Sequence, residues 1–586
     1  MKTLLRRATV STVTGALLVS VAWAGASLAP VDEVTETTEV ADDNRRDAPK
    51  TGDVPTATAA SDPLNLLEAG GASLPKGKLQ RGLYHVGAAK VSLEPQPEAY
   101  GGTWEQDETK CETLSGNFFN DVPSNASHVA NAGSPWPENP NCIYAGGYGI
   151  GPMNALVEFD DEYGLWARTV AISDGEDPVF LTVIDAEGWF WDYASKCDDC
   201  GFKQIGARLA AELGTDQSAF IFHSTHSHTA MDFIGGWGFV PDWYMEQATD
   251  AIEESVRRAV DSMRVARIEI GEVEARQFNH ERRDTYRAAE EQQLTWLRAY
   301  APGRQEVIAT IGTYAAHPTT LDVGPGVAHG DWPVVFESRL EERFGGIGFH
   351  FMTGLGNMSV GFPAHERHEG EEGVDMGRAL ADLVPPVGEG RQIGLTDIET
   401  AQETWNQPVT NVPLTALGMP GFFDRQFNHT PAAITIGPRV APEVPDEDGG
   451  AISDPVNEAT GQVGNCTSAS PVSVEVVANA ARIGEDLFIT SGPGELFSNL
   501  TNVIKEKAKE DHRGALAMPL AQANDALGYI LQSFEAAANP ASGQGAGFAD
   551  SGPAYIEYED AYSIDRCFGD MVLETTLRSL LPAVAD

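Results

Sequence analysis

The chain has 586 residues, and its 86 acidic side chains outnumber 39 basic ones to give a net charge of −47 at pH 7. So large an acidic excess excludes nucleic-acid binding, because phosphate backbones attract positively charged surfaces. The length exceeds what one small core needs and fits a single large α/β domain.

The first residues have the pattern of a secretory signal. Lys2, Arg6 and Arg7 precede an apolar segment over 13–22, and small-residue cleavage sites follow it. We predict a signal peptide over 1–29, a disordered acidic linker over 30–62 and one domain over 63–586. No later segment approaches the about 18 apolar residues of a membrane span. We therefore expect a secreted or periplasmic protein without a transmembrane anchor.

The cysteines fit an oxidising compartment. Cys111 and Cys142 lie in one polar segment, and Cys466 and Cys567 remain as candidates for a long-range pair. For the CxxC at 197–200 we favour a structural disulfide, because neither a second CxxC nor a thioredoxin-like context accompanies it. Zinc binding or redox chemistry is the alternative for this motif.

Predicted strands and helices alternate from residue 164 onward, which is typical of an α/β fold with mixed sheets flanked by helices. The predicted strands are 166–172, 179–184, 219–222, 266–270, 294–300, 307–315, 347–352, 472–477 and 487–490. The predicted helices are 203–213, 242–263, 334–344 and 496–507. Residues 406–470 are rich in Pro, Gly and Asn, and so long a connection is usually a functional lid or the rim of a site.

A histidine cluster follows the predicted strand 219–222. His226 and His228 are two residues apart, so on an extended chain they project to the same side from the carboxyl edge of the sheet. Paired imidazoles at such an edge present a metal site or a general base. A chance cluster of core histidines is the alternative. His223 lies within the strand, and we expect it to have a structural role.

Two more predicted strands end in residues of the types that bind zinc. His317 follows the strand 307–315, and Glu495 follows the strand 487–490 within a Gly-Pro-Gly-Glu turn. Taken singly, His317 is typical of a loop and Glu495 of a helix N-terminus. Strand ends of open α/β sheets converge on one crevice, however. His226, His317 and Glu495 together form the pattern of a hydrolytic zinc site with an open position.

A Gly-rich turn after the strand 347–352 carries Ser359 at its tip. A hydroxyl in that position is exposed, as a nucleophile or a transition-state donor must be. The turn lacks the G-x-S-x-G pattern, so a serine-hydrolase triad is not indicated.

These motifs, in this order, resemble those of the neutral (non-lysosomal) ceramidase family. The resemblance extends from about Val86 to Asp565 and implies a bacterial secreted member without the family's C-terminal immunoglobulin-like domain. The motifs that carry it are Thr225-His-Ser-His-Thr229, Ala316-His-Pro-Thr-Thr320, Gly356-Asn-Met-Ser-Val-Gly361, Pro493-Gly-Glu495, Gly528-Tyr529-Ile530 and Tyr558-Glu-Asp-Ala561.

The resemblance implies a role for each matching residue. It implies that Ser359 occupies the catalytic-serine position, that His228 stands beside the reacting groups and that Tyr558 is a second active-site tyrosine. Arg282 loosely matches a motif whose arginine helps bind the reacting amide. One Zn²⁺ per chain is expected on His226, His317, Glu495 and Tyr529.

The implied activity is hydrolysis of the N-acyl bond of ceramide to a fatty acid and a sphingoid base. Departures from the family pattern bear on the substrate: Ala230-Met-Asp-Phe233 replaces a Gly-Pro-Gly-Gly segment, and Asn357 replaces an Asp. A hydrolase of another N-acyl amide or ester is therefore one alternative. An exported zinc- or lipid-binding protein without turnover is another.

Overall fold

The structure of this chain is a computed structural model. The predicted signal peptide (1–29), the predicted linker (30–62) and Tyr558 lie outside the described residues. The structure describes residues 73–111, 140–147, 154–194, 196–235, 240–282, 290–303, 305–321, 326–361, 372–394, 397–411, 414, 424–437, 439–440, 462–463, 465–533, 535, 559 and 562–585.

The strands differ widely in length, and the longest build two sheets. In chain order they are β1 (Tyr84–Ser92), β2 (Ile143–Tyr144), β3 (Ala155–Leu156), β4 (Glu158–Phe159), β5 (Trp166–Ser173), β6 (Pro178–Ile184), β7 (Phe220–Ser224), β8 (Arg264–Glu274), β9 (Asn279–Glu281), β10 (Gln293–Tyr300), β11 (Val307–Tyr314), β12 (Val327–Ala328), β13 (Ile347–Met352), β14 (Met358–Val360), β15 (Arg391–Gln392), β16 (Ile398–Pro408), β17 (Ala432–Ile436), β18 (Arg439–Val440), β19 (Gln462–Val463), β20 (Cys466–Ser470), β21 (Ser473–Ile483), β22 (Leu487–Ser491), β23 (Glu495–Leu496), β24 (Leu516–Leu520) and β25 (Tyr529–Ile530).

The helices lie between these strands and at the C-terminal end. They are α1 (Glu108–Cys111), α2 (Phe202–Leu213), α3 (Asp242–Asp261), α4 (Asp331–Phe344), α5 (Glu372–Asp382), α6 (Ser498–Asp511), α7 (Phe568–Thr575) and α8 (Leu581–Ala585).

The larger sheet has nine strands in the order β13-β11-β10-β8-β1-β5-β6-β7, with β15 beside β8. Strand β8 connects two halves of this sheet, because its first residues pair with β1 and the remainder pairs with β10. The edge strands of the two halves then meet: His223 Nε2 in β7 accepts a hydrogen bond of 2.9 Å from the backbone N–H of Met352 in β13. This contact gives the buried His223 the structural role predicted for it.

A second sheet of four strands, β16-β21-β22-β24, packs against the first. One apolar cluster joins both, with Val86 and Ile311 from the larger sheet and Ile489 and Met518 from the smaller one. The outer faces are covered by helices: α3 packs on β1 and β5, α4 on β13 and α6 on β24. The α/β fold predicted from the sequence is confirmed. All described residues fall within one unit.

Most predicted elements form within two or three residues of their predicted bounds. Helix α2 ends where expected, because Gly214 adopts the left-handed conformation (φ 67°) that terminates helices. Helix α4 begins earlier than predicted, at Asp331, since Pro333 in its first turn needs no hydrogen-bond acceptor. The sequence assigned no strand to β1 or β16, whose polar and small residues weaken the apolar pattern.

All six cysteines are paired, as Cys111–Cys142, Cys197–Cys200 and Cys466–Cys567. The structural disulfide predicted for the CxxC and the long-range pair are therefore confirmed. None of the helices in the described ranges has both the length and the apolar character needed to cross a membrane.

Candidate active site

His226 lies just beyond β7, in a strained backbone conformation. Its φ of 59° is in the left-handed region, which a residue with a side chain occupies only when its surroundings enforce it. The backbone of the neighbouring residue, Thr225, donates to Ile184 O at 3.0 Å, which holds the turn at the carboxyl end of β6. In this backbone conformation the His226 ring points into the interior, where the residue is only 4% exposed.

The two nitrogens of His226 have different neighbours. Nδ1 lies 2.8 Å from the carbonyl oxygen of Glu187 and 3.6 Å from Glu187 Oε1. Nε2 lies 3.5 Å from Glu495 Oε2. A backbone carbonyl at Nδ1 fixes the proton there and leaves Nε2 as the nitrogen with a lone pair, as is usual for metal-binding histidines.

His317 follows β11 and repeats this arrangement. Its backbone N–H donates to Met358 O at 3.0 Å, and its Nδ1 lies 2.8 Å from the carbonyl of Leu355. Its Nε2 lies 3.0 Å from Glu495 Oε2. Both rings therefore present Nε2 to the same carboxylate oxygen.

Glu495 reaches this position because β23 pairs in parallel with β25, which aligns Glu495 with Tyr529. Burial raises the pKa of the Glu495 carboxyl, but the two imidazoles outweigh this and hold it well below its usual range. Burial also opposes protonation of both rings. The carboxylate nevertheless raises the pKa of His226 to about 9, while that of His317 falls to about 4. The site thus holds a fixed negative charge that requires a cation, either a proton or a metal.

His228 also faces this centre. One nitrogen from each of His226, His228 and His317 lies within 4.8 Å of the others. Burial holds the pKa of His228 well below its usual range, so the ring is neutral. Gly147 packs directly against it: a Cβ added to Gly147 would lie 2.2 Å from His228 Cγ.

Arg282 links the candidate ligands to the turn that carries Ser359. Its Nη2 donates to Tyr529 Oη at 2.9 Å and to the carbonyl of Gly356 at 3.0 Å, and its Nε donates to Glu559 Oε1 at 2.8 Å. Within the described part of the chain, Nη1 has no acceptor. The guanidinium thus has donors available at the edge of the site.

Ser359 lies in the short strand β14, opposite His280 of β9. The preceding residue, Met358, accepts the backbone hydrogen bond from His317, so the structure places Ser359 next to a residue that contacts the candidate centre. The position of Tyr558 is outside the described residues. Its neighbour Glu559 lies beside Arg282, at 2.8 Å.

A pocket opens beside these side chains. His226, Glu495 and Tyr529 line one end, together with Glu187 and Gln522. The remaining wall is largely apolar and includes Phe190, Ile234, Leu414, Phe427, Leu527 and Ile564.

Glu187 and Gln522 were not predicted from the sequence. Burial raises the pKa of Glu187 to about 8. Gln522 shares the left-handed conformation of His226, with φ at 48°. Both residues follow the carboxyl ends of strands, β6 and β24, as the predicted ligands do. That position was the one signal that could have identified them.

Comparisons with known proteins found similarity in structure but not in sequence. No family model matches the chain, and no curated protein matches it. A crystal structure of neutral ceramidase from Pseudomonas aeruginosa aligns with a TM-score of 0.51 and 14% identity, covering 86% of this chain and 74% of that one. A ceramidase complexed with C2 aligns with a TM-score of 0.52 and 15% identity, covering 86% of this chain and 76% of that one.

The chain has the neutral ceramidase fold. The aligned share of both chains is large, so the likeness concerns the architecture as a whole rather than one motif. At this identity the neutral ceramidase likeness establishes the fold alone, and a function must be argued from the site.

Proposed function

We propose that this protein is a zinc-dependent amidohydrolase that cleaves the N-acyl bond of a ceramide-class lipid to a fatty acid and a long-chain base. One observation carries the proposal. His226, His317 and Glu495 come from three separate strand ends and converge within 3.5 Å contacts beside an apolar pocket. A chance cluster of core histidines does not account for two Nε2 atoms directed at one carboxylate.

The donor set fits Zn²⁺. Two imidazole nitrogens, a carboxylate oxygen and the Tyr529 phenol oxygen suit a four-coordinate site, and both rings have the carbonyl partners that orient zinc ligands. We assign His226, His317, Glu495 and Tyr529 as the ligands. When bound, zinc acts as a Lewis acid toward an amide carbonyl and makes bound water more acidic.

The chain's own residues would position the amide and move protons. Arg282, with a donor at Nη1, would bind the carbonyl oxygen and stabilise the charge that develops on it. The His228 ring lies 5.0 Å from that of His226 and 5.9 Å from that of His317, and an imidazole in this position would take up a proton and pass it to the leaving amine. Ser359 would serve as nucleophile or as the group that orients water, and Tyr558 as a further donor.

The pocket supports a lipid-like substrate. Its wall of aliphatic and aromatic side chains begins at the candidate ligands, so an acyl or sphingoid chain would extend from the reacting amide along an apolar surface. The three disulfides fit a secreted or periplasmic location.

The test is hydrolysis of labelled ceramide by the purified chain, before and after zinc removal. We expect release of fatty acid that stops with a chelator and returns with added zinc. A panel of N-acyl amines, N-acyl amino acids and esters run in parallel covers hydrolysis of another amide or ester. No metal-dependent product from any substrate contradicts the catalytic proposal, and bound zinc without product would favour a binding protein.

A further inference from the structure

Asn357 lies in the turn that carries Ser359, and it is fully buried. Its Oδ1 accepts a hydrogen bond of 2.8 Å from the backbone N–H of Ser498, the first residue of α6. Its Nδ2 donates to Ser498 Oγ at 2.8 Å and to Glu281 Oε2. Because a backbone N–H can only donate, the contact with Ser498 fixes which end of the amide is the oxygen. The amide group therefore makes three directed hydrogen bonds.

These bonds join the turn to the segment that carries Glu495. Ser498 is the third residue after Glu495, and its N–H is one of the groups at the start of a helix that lack a partner within the helix. Phe497, at the N-cap position, makes no side-chain hydrogen bond, so Asn357 supplies the acceptor from across the fold. The two segments touch directly, since a Cβ added to Gly356 would lie 2.6 Å from the carbonyl oxygen of Glu495.

The backbone of the same turn contacts two further residues of the candidate site. The carbonyl of Asn357 accepts a hydrogen bond of 3.0 Å from the backbone N–H of Arg282. The carbonyl of the next residue, Met358, accepts one of 3.0 Å from the N–H of His317. A displacement of this turn would therefore move the supports of Arg282, His317 and Glu495 together.

We propose that Asn357 is a positioning residue for the zinc ligands, and that Glu281 makes an amide necessary at this position. An amide donates to the Glu281 carboxylate while it accepts from Ser498. An aspartate accepts only, and it would place a second carboxylate against that of Glu281 where little water can separate the charges. This conflict accounts for an asparagine where the family pattern has an aspartate. The inference rests on the proposed zinc-dependent function.

The experiment is a double-mutant cycle on the contact between Asn357 and Glu281, read as zinc affinity in competition with a chelator. Asn357→Asp should bind zinc about 10- to 100-fold less tightly, because groups that support metal ligands have effects of this size. Glu281→Gln keeps an oxygen that accepts from Asn357, so its zinc affinity should stay within about threefold of wild type.

The Asn357→Asp/Glu281→Gln variant exchanges the amide and the carboxylate. The amide at 281 can then donate to the carboxylate at 357, which also accepts from the N–H and the hydroxyl of Ser498. Zinc affinity should therefore return to within about threefold of wild type. Asn357→Ala removes the three bonds without adding a charge. It should also weaken zinc binding, and Glu281→Gln should not restore it, so the inference is tested even if Asn357→Asp does not fold.

A general loss of stability does not give this pattern. Asn479 is a buried asparagine whose Nδ2 donates to the carbonyls of Ser218 and Phe220, at the opposite end of β7 from His226. Asn479→Asp is the matched control, because it also puts a carboxylate in place of a buried amide that donates. It should lower Tm and leave the zinc affinity of the folded protein unchanged.

Two results would overturn the inference while the wild-type chain binds zinc and hydrolyses ceramide. One is wild-type zinc affinity in both Asn357→Asp and Asn357→Ala, and the other is a loss that the double variant does not recover. Hydrolysis of ceramide by the same proteins at saturating zinc separates the two proposals. The expected zinc pattern without product from the wild-type chain contradicts the proposed hydrolysis alone. A wild-type chain that binds no zinc contradicts both.

Discussion

His317 Nε2 lies 3.0 Å from Glu495 Oε2, although the two residues are 178 positions apart in the chain. The local sequence places each residue after a predicted strand, but it does not show that the two side chains meet. Strands β11 and β22 belong to two sheets that share one apolar cluster. Because the sheets pack together, the carboxyl ends of these two strands lie close to each other.

Removing either residue should release the metal. We expect His317→Ala and Glu495→Ala to lose bound zinc and to reduce hydrolysis more than 1000-fold, because a site with fewer protein ligands binds zinc much less tightly. Metal content measured by elemental analysis after dialysis gives the result. His429→Ala, an exposed histidine, is the control and should keep its zinc.

Replacing Arg282 should impair turnover without removing the metal. In Arg282→Lys an ammonium cannot span Tyr529, Gly356 and Glu559 at once, so stabilisation of the developing oxyanion is lost. We expect kcat to fall about 100-fold, with a smaller change in KM and full zinc content. Arg257→Lys, in a surface ion pair, should behave as wild type. An unchanged kcat for Arg282→Lys would remove Arg282 from the site.

Gly147 gives a test of the position of His228. Gly147→Ala would place a methyl group 2.2 Å from His228 Cγ, which displaces the ring. Gly101 has a similar left-handed φ, 67° against 82°, but nothing within 4 Å of its added Cβ. Both variants bear a backbone cost of about 1 kcal/mol, so only Gly147→Ala should lose activity, by at least tenfold. Equal activities would mean that the position of His228 is not needed.

The disulfides should differ in their effect on stability. Cys466 and Cys567 are 101 residues apart, and a cross-link over so long a loop restricts the unfolded chain strongly, by about 4 to 5 kcal/mol in the chain-entropy treatment. Cys197 and Cys200 are three apart and restrict it far less. Thermal unfolding of the two Cys→Ser double variants should show the larger drop in Tm for the 466/567 pair.

Asp185 should contribute a pH-dependent loss of stability. Burial raises the pKa of this carboxyl to about 6, above its value of 3.8 in the unfolded chain. The folded state therefore holds the proton more tightly, and stability falls as pH rises from 4 to 7, by about 3 kcal/mol for this group. Asp185→Asn has no titrating carboxyl at this position, so the variant lacks this contribution to the pH dependence of the free energy of unfolding. Urea unfolding at pH 4 and pH 7 should show a smaller decrease for the variant than for wild type, and parallel decreases would contradict the assignment.

Much of the fold and part of the site could be predicted because local chemistry determines them. The short apolar run of β6, rich in β-branched residues and preceded by a turn segment, favours a strand, and Gly214 ends α2 by its own conformational freedom. The candidate ligands are of rare types that follow such strands. His226, His317 and Glu495 were therefore predicted together, and the family resemblance added Tyr529; the structure places His226 and His317 against Glu495 and aligns Tyr529 with Glu495.

The remaining residues could not be predicted, because their significance depends on what lies across the fold. Glu187 and Gln522 are ordinary polar residues in sequence, and they matter only because each is buried against the ring of His226. Nothing in the sequence distinguishes Gly147 from the other glycines, and only the structure shows that it packs against His228.

The sequence by itself determined the α/β pattern and the residue types of the candidate centre, since periodicity and spacing are properties of short segments, whereas it gave the cysteine pairs only as candidates. The tertiary structure alone decided which nitrogen of each histidine faces Glu495, that Arg282 reaches Tyr529, and that an apolar pocket begins at this point. These relationships depend on how the two sheets pack, and packing joins residues hundreds of positions apart that carry no mark of one another in the sequence.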